Sequence, residues 1–423
     1  MSYLHPFLAQ LPLTTLGNPV SYLLLLVLCL PAIWYYCYAI YATLSFFSQA
    51  VETKPDFHPP VSILKPICGL DNDTYENFAS FCRQDYPTYQ LIFGVRDEQD
   101  PCISVVQQLI QDFPEIDIQL VISAQAIGSN LKVSNLANAV AVAKYETLVL
   151  ADSDVRVDPN YLRQLVQPLS DPAVGVVTCL YRPITRGWVA NFEAVGISTE
   201  YLAGVLVANQ LEGMKFALGP TIAIRQTVLD AIGGFGAIAD YLADDFQLGY
   251  LPAQAGYKVV LSHYVIDHVI TTETLADLVR RQVRWACCTR VSRPWGYLGL
   301  FFSYGTATSL LFLLLTQGSL LGWVGFGLTW SSRLLMAWVV GVSSLQDPVV
   351  KRFFGIVPLR DLLTFAIWCY SYGGNHLRWR DRLLLLTREG KLVPVVESSK
   401  SRSFDVLSKA LSGFPFRSLF RKT

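Results

Sequence analysis

From Val20 to Phe47 the chain carries no Asp, Glu, Lys or Arg, a run longer than the roughly 20 residues a helix needs to cross the hydrocarbon core of a bilayer. We read it as one transmembrane helix. It lacks a basic leading region and is too long for the apolar core of a signal peptide, which predicts an uncleaved anchor. Lys and Arg are missing before the run, whereas Lys54 and Lys65 follow it. That asymmetry predicts a short extracytoplasmic N-terminus over residues 1–19 and a cytosolic domain after the 20–47 helix.

Composition agrees with a membrane protein. Hydrophobic residues make up 52% of the 423 and charged residues only 16%, which is too apolar for an ordinary soluble enzyme of this length. The formal net charge of zero gives no field to attract a polyanion, so nucleic acid is not an expected partner. Nine cysteines are scattered without CxxC or zinc-ligand spacing, as fits reduced thiols facing a cytosol. The adjacent Cys287 and Cys288 lie near an expected membrane boundary, where interfacial packing and acylation both fit.

Between about Pro59 and Thr289, short β-rich runs alternate with amphipathic stretches, the rhythm of an α/β sheet. Strands are predicted at Val61–Leu64, Leu91–Val95, Ile118–Ile122, Thr147–Ala151 and Val174–Thr178. Helices are predicted around Asp73–Arg83, Ile103–Asp112, Asn135–Lys144 and Pro159–Gln167. A cytosolic catalytic domain is therefore placed at 55–294. Charge vanishes again from Gly296 to Ser332, which predicts a membrane hairpin turning near Gln317–Gly318. Arg333 interrupts its second arm and is expected to snorkel toward an interface. Asp361–Gly374 is apolar but short, so a short span, a re-entrant segment and an interfacial helix all fit. The membrane region is thus bounded at 296–375. The basic stretch 376–423 is expected to be a cytosolic tail whose Lys400, Arg402 and Lys409, interleaved with Phe404 and Leu407, suit a membrane surface.

Four acidic or basic signals carry the chemistry. The apolar strand Leu148-Val149-Leu150-Ala151 ends in Asp152-Ser153-Asp154. Two carboxylates one residue apart at a rigid strand end suit a hard cation such as Mg2+ or Mn2+ held against a diphosphate. An Asx turn or a helix cap accounts for the triplet equally well. After the strand ending at Val95 comes Arg96-Asp97-Glu98-Gln99-Asp100-Pro101. Ligands of a parallel sheet lie beyond the carboxyl ends of its strands, which places Asp97 to accept hydrogen bonds from a nucleotide. Asp100 is expected to cap the helix starting at Pro101. In Leu242-Ala243-Asp244-Asp245-Phe246 two carboxylates lie in an apolar, helical stretch. If buried, their repulsion raises one pKa and makes a general base; if exposed, they are a solvated face. In Arg280-Arg281-Gln282-Val283-Arg284-Trp285, helical spacing puts Arg281, Arg284 and Trp285 on one face, suited to clamping a diphosphate or to lining a membrane surface.

Taken in order, these signals resemble the ceramide glucosyltransferases, glycosyltransferase family 21, of the GT-A inverting group. The likeness runs over most of the chain, through Val61-Ser62-Ile63-Leu64-Lys65-Pro66, Asp85-Tyr86-Pro87, Asp97, Asp152-Ser153, Ala243-Asp244-Asp245 and Arg281-Gln282-Val283-Arg284-Trp285, the last similar to the family's (Q/R)xxRW box. The resemblance implies an α/β GT-A (Rossmann-like) domain flanked by transmembrane helices. It implies that Asp97 contacts the uridine, that Asp152 and Asp154 hold the metal and diphosphate, and that Asp245 is the base. Arg281, Arg284 and Trp285 would close the donor site, Lys132 would lie near the donor phosphates, and Gly219-Pro220-Thr221 would form an acceptor-facing turn. Mn2+ or Mg2+ is the implied cofactor.

The expected activity is transfer of a hexose, glucose first, from a UDP-sugar to a membrane lipid hydroxyl, ceramide first, with inversion to a β-glycolipid. The site is expected to face the cytosol from a bacterial inner membrane, or from the Golgi or endoplasmic reticulum in a eukaryote. Where animal members carry a His-Pro pair, this chain has Ser198-Thr199-Glu200-Tyr201, so hopanoid and diacylglycerol stand beside ceramide as acceptors. The apolar stretch Ala194–Gln210 and the hairpin after Trp295 are candidate linings of the lipid's route, and a core helix fits the first equally well. A processive polysaccharide synthase shares these motifs but needs a channel that two or three downstream spans are too few to build. A non-catalytic sugar-nucleotide binder would not need every expected carboxylate, and all are present.

Overall fold

The structure, a computed structural model, describes residues 19–50, 54–71, 73–379 and 382–394. The chain forms two compact units. The N-terminal residues 1–18 and the stretch 395–423, on which the extracytoplasmic segment and the basic tail fall, lie outside the described residues.

One unit gathers Ala50–Asn191, Glu212–Ser292 and the chain from Ser371 onward. Its sheet contains β1 (Val61–Pro66), β2 (Tyr89–Val95), β3 (Asp117–Ile122), β4 (Thr147–Ala151), β5 (Val155–Arg156), β6 (Val174–Thr185), β7 (Thr221–Arg225) and β8 (Lys258–Ile270). The strand order is β3-β2-β1-β4-β7-β6-β8-β5. β1 pairs in parallel with both β2 and β4, and β2 with β3. Beyond β4 the sheet becomes mixed: β7 runs antiparallel to β4 and β6, while β8 is parallel to β6 and antiparallel to β5. The α/β fold expected from the sequence is present, with all five predicted strands inside observed ones.

Val149 and Ile63 are fully buried, as strands covered by helices on both faces require. The parallel half places the ends of β1, β2 and β4 on one edge, where the site is built. Two local features depart from expectation. The helix expected from Asn135 begins at Leu131 and ends at Val140, because Asn130 caps it by accepting from the backbone N–H groups of Lys132 and Val133. Asp244 and Asp245 are helical, as expected, but stand in the first turn of their helix, over Asp244–Gln254, where the helix dipole favours carboxylates.

The segment after Ser371 also departs from a simple tail. β9 (His376–Trp379), β10 (Arg382–Leu386) and β11 (Leu392–Pro394) form a small antiparallel sheet in order β11-β10-β9.

The other unit gathers the chain up to Gln49, Phe192–Leu211 and Arg293–Tyr370. The contiguous 55–294 domain is therefore interrupted: Phe192–Leu211 groups with the apolar helices. Two described helices are long and apolar enough to cross a membrane, Pro19–Ser48 and Pro348–Ser371, and a bent pair, Pro294–Ser303 with Gly305–Leu315, makes a third if counted as one span. The second of these begins well before Asp361, where the sequence placed the start of the short segment, because Asp347 caps it by accepting from Val349 and Val350 N–H.

The expected hairpin is formed by Gly305–Leu315 and Leu320–Ala337. It turns where Gln317 (φ 53°) and Gly318 (φ 69°) enter the left-handed region, and Ser319 caps the returning helix through Gly322 N–H. A Cβ on Gly325 would stand 2.7 Å from the Phe312 ring, so a small residue is what lets these helices approach.

Arg333 does not snorkel. It is 2% exposed and its guanidinium donates to both oxygens of Asp361, at 3.1 and 2.7 Å, and to Thr199 Oγ1 at 3.2 Å. A bidentate carboxylate inside the helix cluster offsets the desolvation that would otherwise drive the charge to an interface.

Candidate active site

Asp152 directly follows β4 and its N–H bonds to Pro220 O at 3.1 Å, tying the acidic triplet to the Gly219-Pro220-Thr221 turn. Its carboxylate Oδ1 lies 2.6 Å from Lys132 Nζ, which also stands 3.6 Å from Asp244 Oδ2. Lys132 reaches there because its helix starts at Leu131 and its first turn points at the β4 end. Burial works against the Lys132 charge, but Asp152 and Asp244 outweigh it and hold the ammonium protonated well above the usual lysine range. One cation thus joins a strand-end carboxylate to the acidic pair that opens the Asp244 helix.

Asp154 faces the other way. Its Oδ2 lies 3.2 Å from His268 Nε2, because Val155 pairs with His268 where β5 meets β8. Burial pushes the Asp154 carboxyl up, but His268 outweighs it and keeps it below the usual range; burial likewise opposes the imidazolium, and Asp154 overcomes that. Asp154 Oδ1 and His268 Nδ1 are buried without hydrogen-bond partners, and such groups call for an explanation.

Those orphaned atoms bear on the implied divalent cation. Among the described residues no three acidic, histidine or cysteine side chains form a ready cage. Mg2+ and similar ions are commonly held by one or two carboxylates with substrate phosphates completing the shell. Asp154 Oδ1 is the orphaned oxygen such an ion would take, with Asp152 nearby in the same triplet, while His268, held as the charged partner of Asp154 through Nε2, would orient that carboxylate rather than ligate the ion. His268 carried no sequence signal: it is one polar residue in a strand, and only the β5–β8 pairing reveals it.

Asp245 is held by its own Phe246 N–H at 2.8 Å. Burial first, then the neighbouring Asp244, push its carboxyl up to about 6, against the pull of Lys132. A Cβ on Gly219 would meet Asp245 Oδ2 at 3.0 Å, so the glycine lets the turn approach the carboxylate closely. Asp245 is therefore a carboxylate with a raised pKa beside a closely approaching turn, and a raised pKa suits a carboxylate to general-base work.

The helix Leu275–Ser292 carries Arg281, Arg284 and Trp285, each half-buried. Arg281 is near enough to depress the His268 pKa, and the Asp244 and Asp245 carboxylates favour the Arg284 charge against burial. The two arginines are thus felt electrostatically by the two halves of the acidic cluster.

Asp97 stands exposed just past the end of β2, its Oδ1 accepting from Gln99 N–H at 2.9 Å. It shares the strand-end edge with Asp152, without direct contact to it. Asp100 is buried and accepts from Cys102 N–H at 2.9 Å and from Gly69 N–H, the capping role expected of it, for a helix that starts at Cys102.

Lys65 is a second residue whose place was not legible. It is fully buried in β1, donates to Asp152 O at 2.8 Å, and lies 3.7 Å from the centre of the Phe81 ring. Burial lowers its pKa to about 7, against Asp152 and Asp154. It fixes the backbone from which the acidic triplet departs.

The α/β sheet thus gathers carboxylates and a bridging lysine at its strand ends, with two arginines on the helix Leu275–Ser292. A model of the family described as glycosyl transferase family 21 matches residues 24–392, and the chain belongs to that family. It is 28% identical over 237 residues to ceramide glucosyltransferase 1 of Caenorhabditis elegans, covering 56% of this chain and 50% of that protein. It is 29% identical over 280 residues to ceramide glucosyltransferase 3 of the same organism, covering 66% and 60%. The chain thus spans about half to three fifths of the length of these relatives. Among solved structures, a mannosyltransferase of Pyrobaculum calidifontis in complex with GDP-Man and Mn2+ aligns at 16% identity and a TM-score of 0.49, covering 81% of this chain and 98% of that one.

Proposed function

We propose that this protein is an inverting hexosyltransferase that moves glucose from UDP-glucose to the hydroxyl of a membrane lipid, ceramide first, at the cytosolic face of a membrane. Asp245 takes the proton of the acceptor hydroxyl, whose oxygen attacks the anomeric carbon from the face opposite UDP. The glycosidic C–O bond to the diphosphate breaks as the new one forms, so an α-linked donor yields a β-glycolipid. The observation that carries this reading is Asp245 itself: a carboxyl raised to about 6 against the Gly219 turn, joined through Asp244 and Lys132 to the strand-end acid Asp152.

Lys132, Arg281 and Arg284 stabilise the departing diphosphate, Trp285 covers the donor, and Asp97 receives the nucleoside. Asp152 and Asp154, the latter oriented by His268, would hold Mn2+ or Mg2+, which when bound neutralises charge developing on the diphosphate. The apolar helices tether the domain so that an acceptor keeps its tails in lipid.

The test is transfer of labelled glucose from UDP-glucose to ceramide, diacylglycerol and hopanoid in vesicles, with and without Mn2+ or Mg2+, against Asp245→Asn. Cation-dependent labelling of ceramide alone supports the full reading. Labelling of another lipid keeps the mechanism and replaces the acceptor, a polymeric product points to a synthase, and donor binding without transfer overturns the enzyme reading.

A further inference from the structure

The loop before the Asp244 helix has no cap of its own: Ala243 precedes the helix and no side chain of the loop accepts from its first N–H groups. Two carboxylates, buried Asp244 and partly exposed Asp245, sit side by side at its start, and their repulsion favours any movement that separates them. What holds this turn comes from elsewhere in the same unit. On one side, Asn130 Nδ2 donates to Tyr241 O at 2.8 Å and to Asp244 Oδ1 at 3.2 Å, and Ser129 N–H donates to Asp240 Oδ1 at 2.8 Å.

On the other side stands the small sheet of β9–β11. Leu392 N–H donates to Asp240 O at 2.7 Å and Leu242 N–H donates to Gly390 O at 3.1 Å, an antiparallel bridge centred on Tyr241 and Lys391. The Lys391 ammonium lies 5.7 Å from the Tyr241 ring centre. The same sheet grips the arginine helix. Arg290, on the helix of Arg281 and Arg284, donates to Asn375 Oδ1 and to Gly374 O, and Asn375 O accepts from Leu386 N–H at 2.8 Å. The two grips meet at Gly390, whose Cβ, if it had one, would lie 3.6 Å from Val291 and 3.7 Å from Tyr241.

We propose that the β9–β11 sheet is a positioning element of the transfer reaction, setting the Asp245 turn and the Arg281–Arg284 helix in mutual register through the Tyr241–Lys391 bridge and the Arg290–Asn375 bond. This rests on the proposed reading of Asp245 as base and of the arginines as diphosphate clamp. A covering segment would need only side-chain contacts. This one makes main-chain bonds on both sides of Tyr241, in the loop that leads into the base's helix, and backbone bonds fix position along the chain rather than merely exclude water. The base and the clamp reach the site from different elements, so a third element that bonds to both is what keeps their separation constant. Residues of the sheet act through Tyr241 and Arg290 and touch no reacting atom.

The experiment uses the full chain in detergent or vesicles, with Leu392→Pro, which removes the N–H bonded to Asp240, and the pair Asn375→Ala and Asn375→Asp. Expected is a loss of about 10-fold to 100-fold in kcat for Leu392→Pro and Asn375→Ala with little change in the KM for UDP-glucose, and recovery in Asn375→Asp, which retains an acceptor for Arg290. Amide hydrogen exchange at Leu242 is expected to quicken in Leu392→Pro. If Leu392→Pro does not fold, the Asn375 pair decides. Folded variants with parental kcat overturn the proposal, as does an equal loss in Asn375→Ala and Asn375→Asp. Should the parent transfer glucose to no lipid, the proposed function fails on its own, while exchange at Leu242 still reads the Tyr241–Lys391 bridge: parental exchange in folded Leu392→Pro overturns the sheet's hold on the turn and with it the proposal, and faster exchange supports that hold.

Discussion

The imidazole Nε2 of His268 stands 3.2 Å from the Asp154 carboxylate, joining a strand-end acid to a residue more than a hundred positions further along the chain. The buried, unpartnered Asp154 Oδ1 is the oxygen that the proposed cation would take, with His268 fixing its carboxylate from the other side. His268→Ala is expected to raise the Mn2+ concentration needed for half-maximal transfer by about 10-fold to 100-fold, the usual cost of disturbing a metal's immediate surroundings. Isothermal titration of Mn2+ in the presence of UDP checks the same point without turnover, and unchanged Mn2+ affinity would remove His268 from the site.

Asp245→Asn is expected to lower kcat by about 100-fold to 10,000-fold, the range of a general base, with little effect on UDP-glucose binding. A variant with near-parental turnover would end the base assignment.

The raised pKa of Asp245, about 6, sets the sign of a pH dependence. The base works deprotonated, so kcat is expected to rise with pH through about 6 and to level off above it, rather than near the ordinary carboxylate value of 3.8. A pH profile of kcat at saturating donor measures it. A limb near 4 would mean that Asp245 is open to water.

Lys132→Met leaves Asp152 and Asp244 facing each other without their shared cation. The three side chains are partly exposed, 27% for Lys132, 29% for Asp152 and 10% for Asp244. The cost is therefore expected at about 1–2 kcal/mol of stability, below that of a fully buried pair. The larger effect is expected on donor affinity, since the proposed reading gives this cation to the diphosphate. Thermal unfolding and UDP titration separate the two, and Lys132→Arg is expected to restore stability more than affinity.

In the apolar unit, Arg333 and Asp361 are buried together, with side chains 2% and 6% exposed. Asp361→Leu strands a buried guanidinium and is expected to cost about 3–5 kcal/mol. Arg333→Met in the same chain is expected to recover most of it, since an apolar pair of similar volume removes both charges. Unfolding of the single and double variants in detergent checks this, and additive losses would mean that the pair is not coupled.

Much of the candidate site's strand-end edge was legible because its signals are local. A strand of apolar residues that stops at Asp152-Ser153-Asp154 announces both its burial and the edge at which it ends, and Asp97 follows a strand in the same way. The hairpin turn at Gln317–Gly318 was legible for a similar reason: charge is absent on both arms and a glycine marks the reversal. Arg333 was misjudged because its partner, Asp361, belongs to a later helix, and sequence spacing says nothing about which helices meet.

The sequence by itself determined the apolar helices, the parallel strands and the acids at their ends, since hydrophobic periodicity and breaks in it are properties of a few adjacent residues. Tertiary structure alone decided that His268 faces Asp154, that Lys65 supports the Asp152 turn, that Phe192–Leu211 leaves the catalytic unit, and that the chain after Ser371 returns to bind the Asp245 turn. Each of these depends on which distant segments pair. That pairing is fixed by how strands and helices bury surface together across the whole domain, and no window of neighbouring residues encodes it.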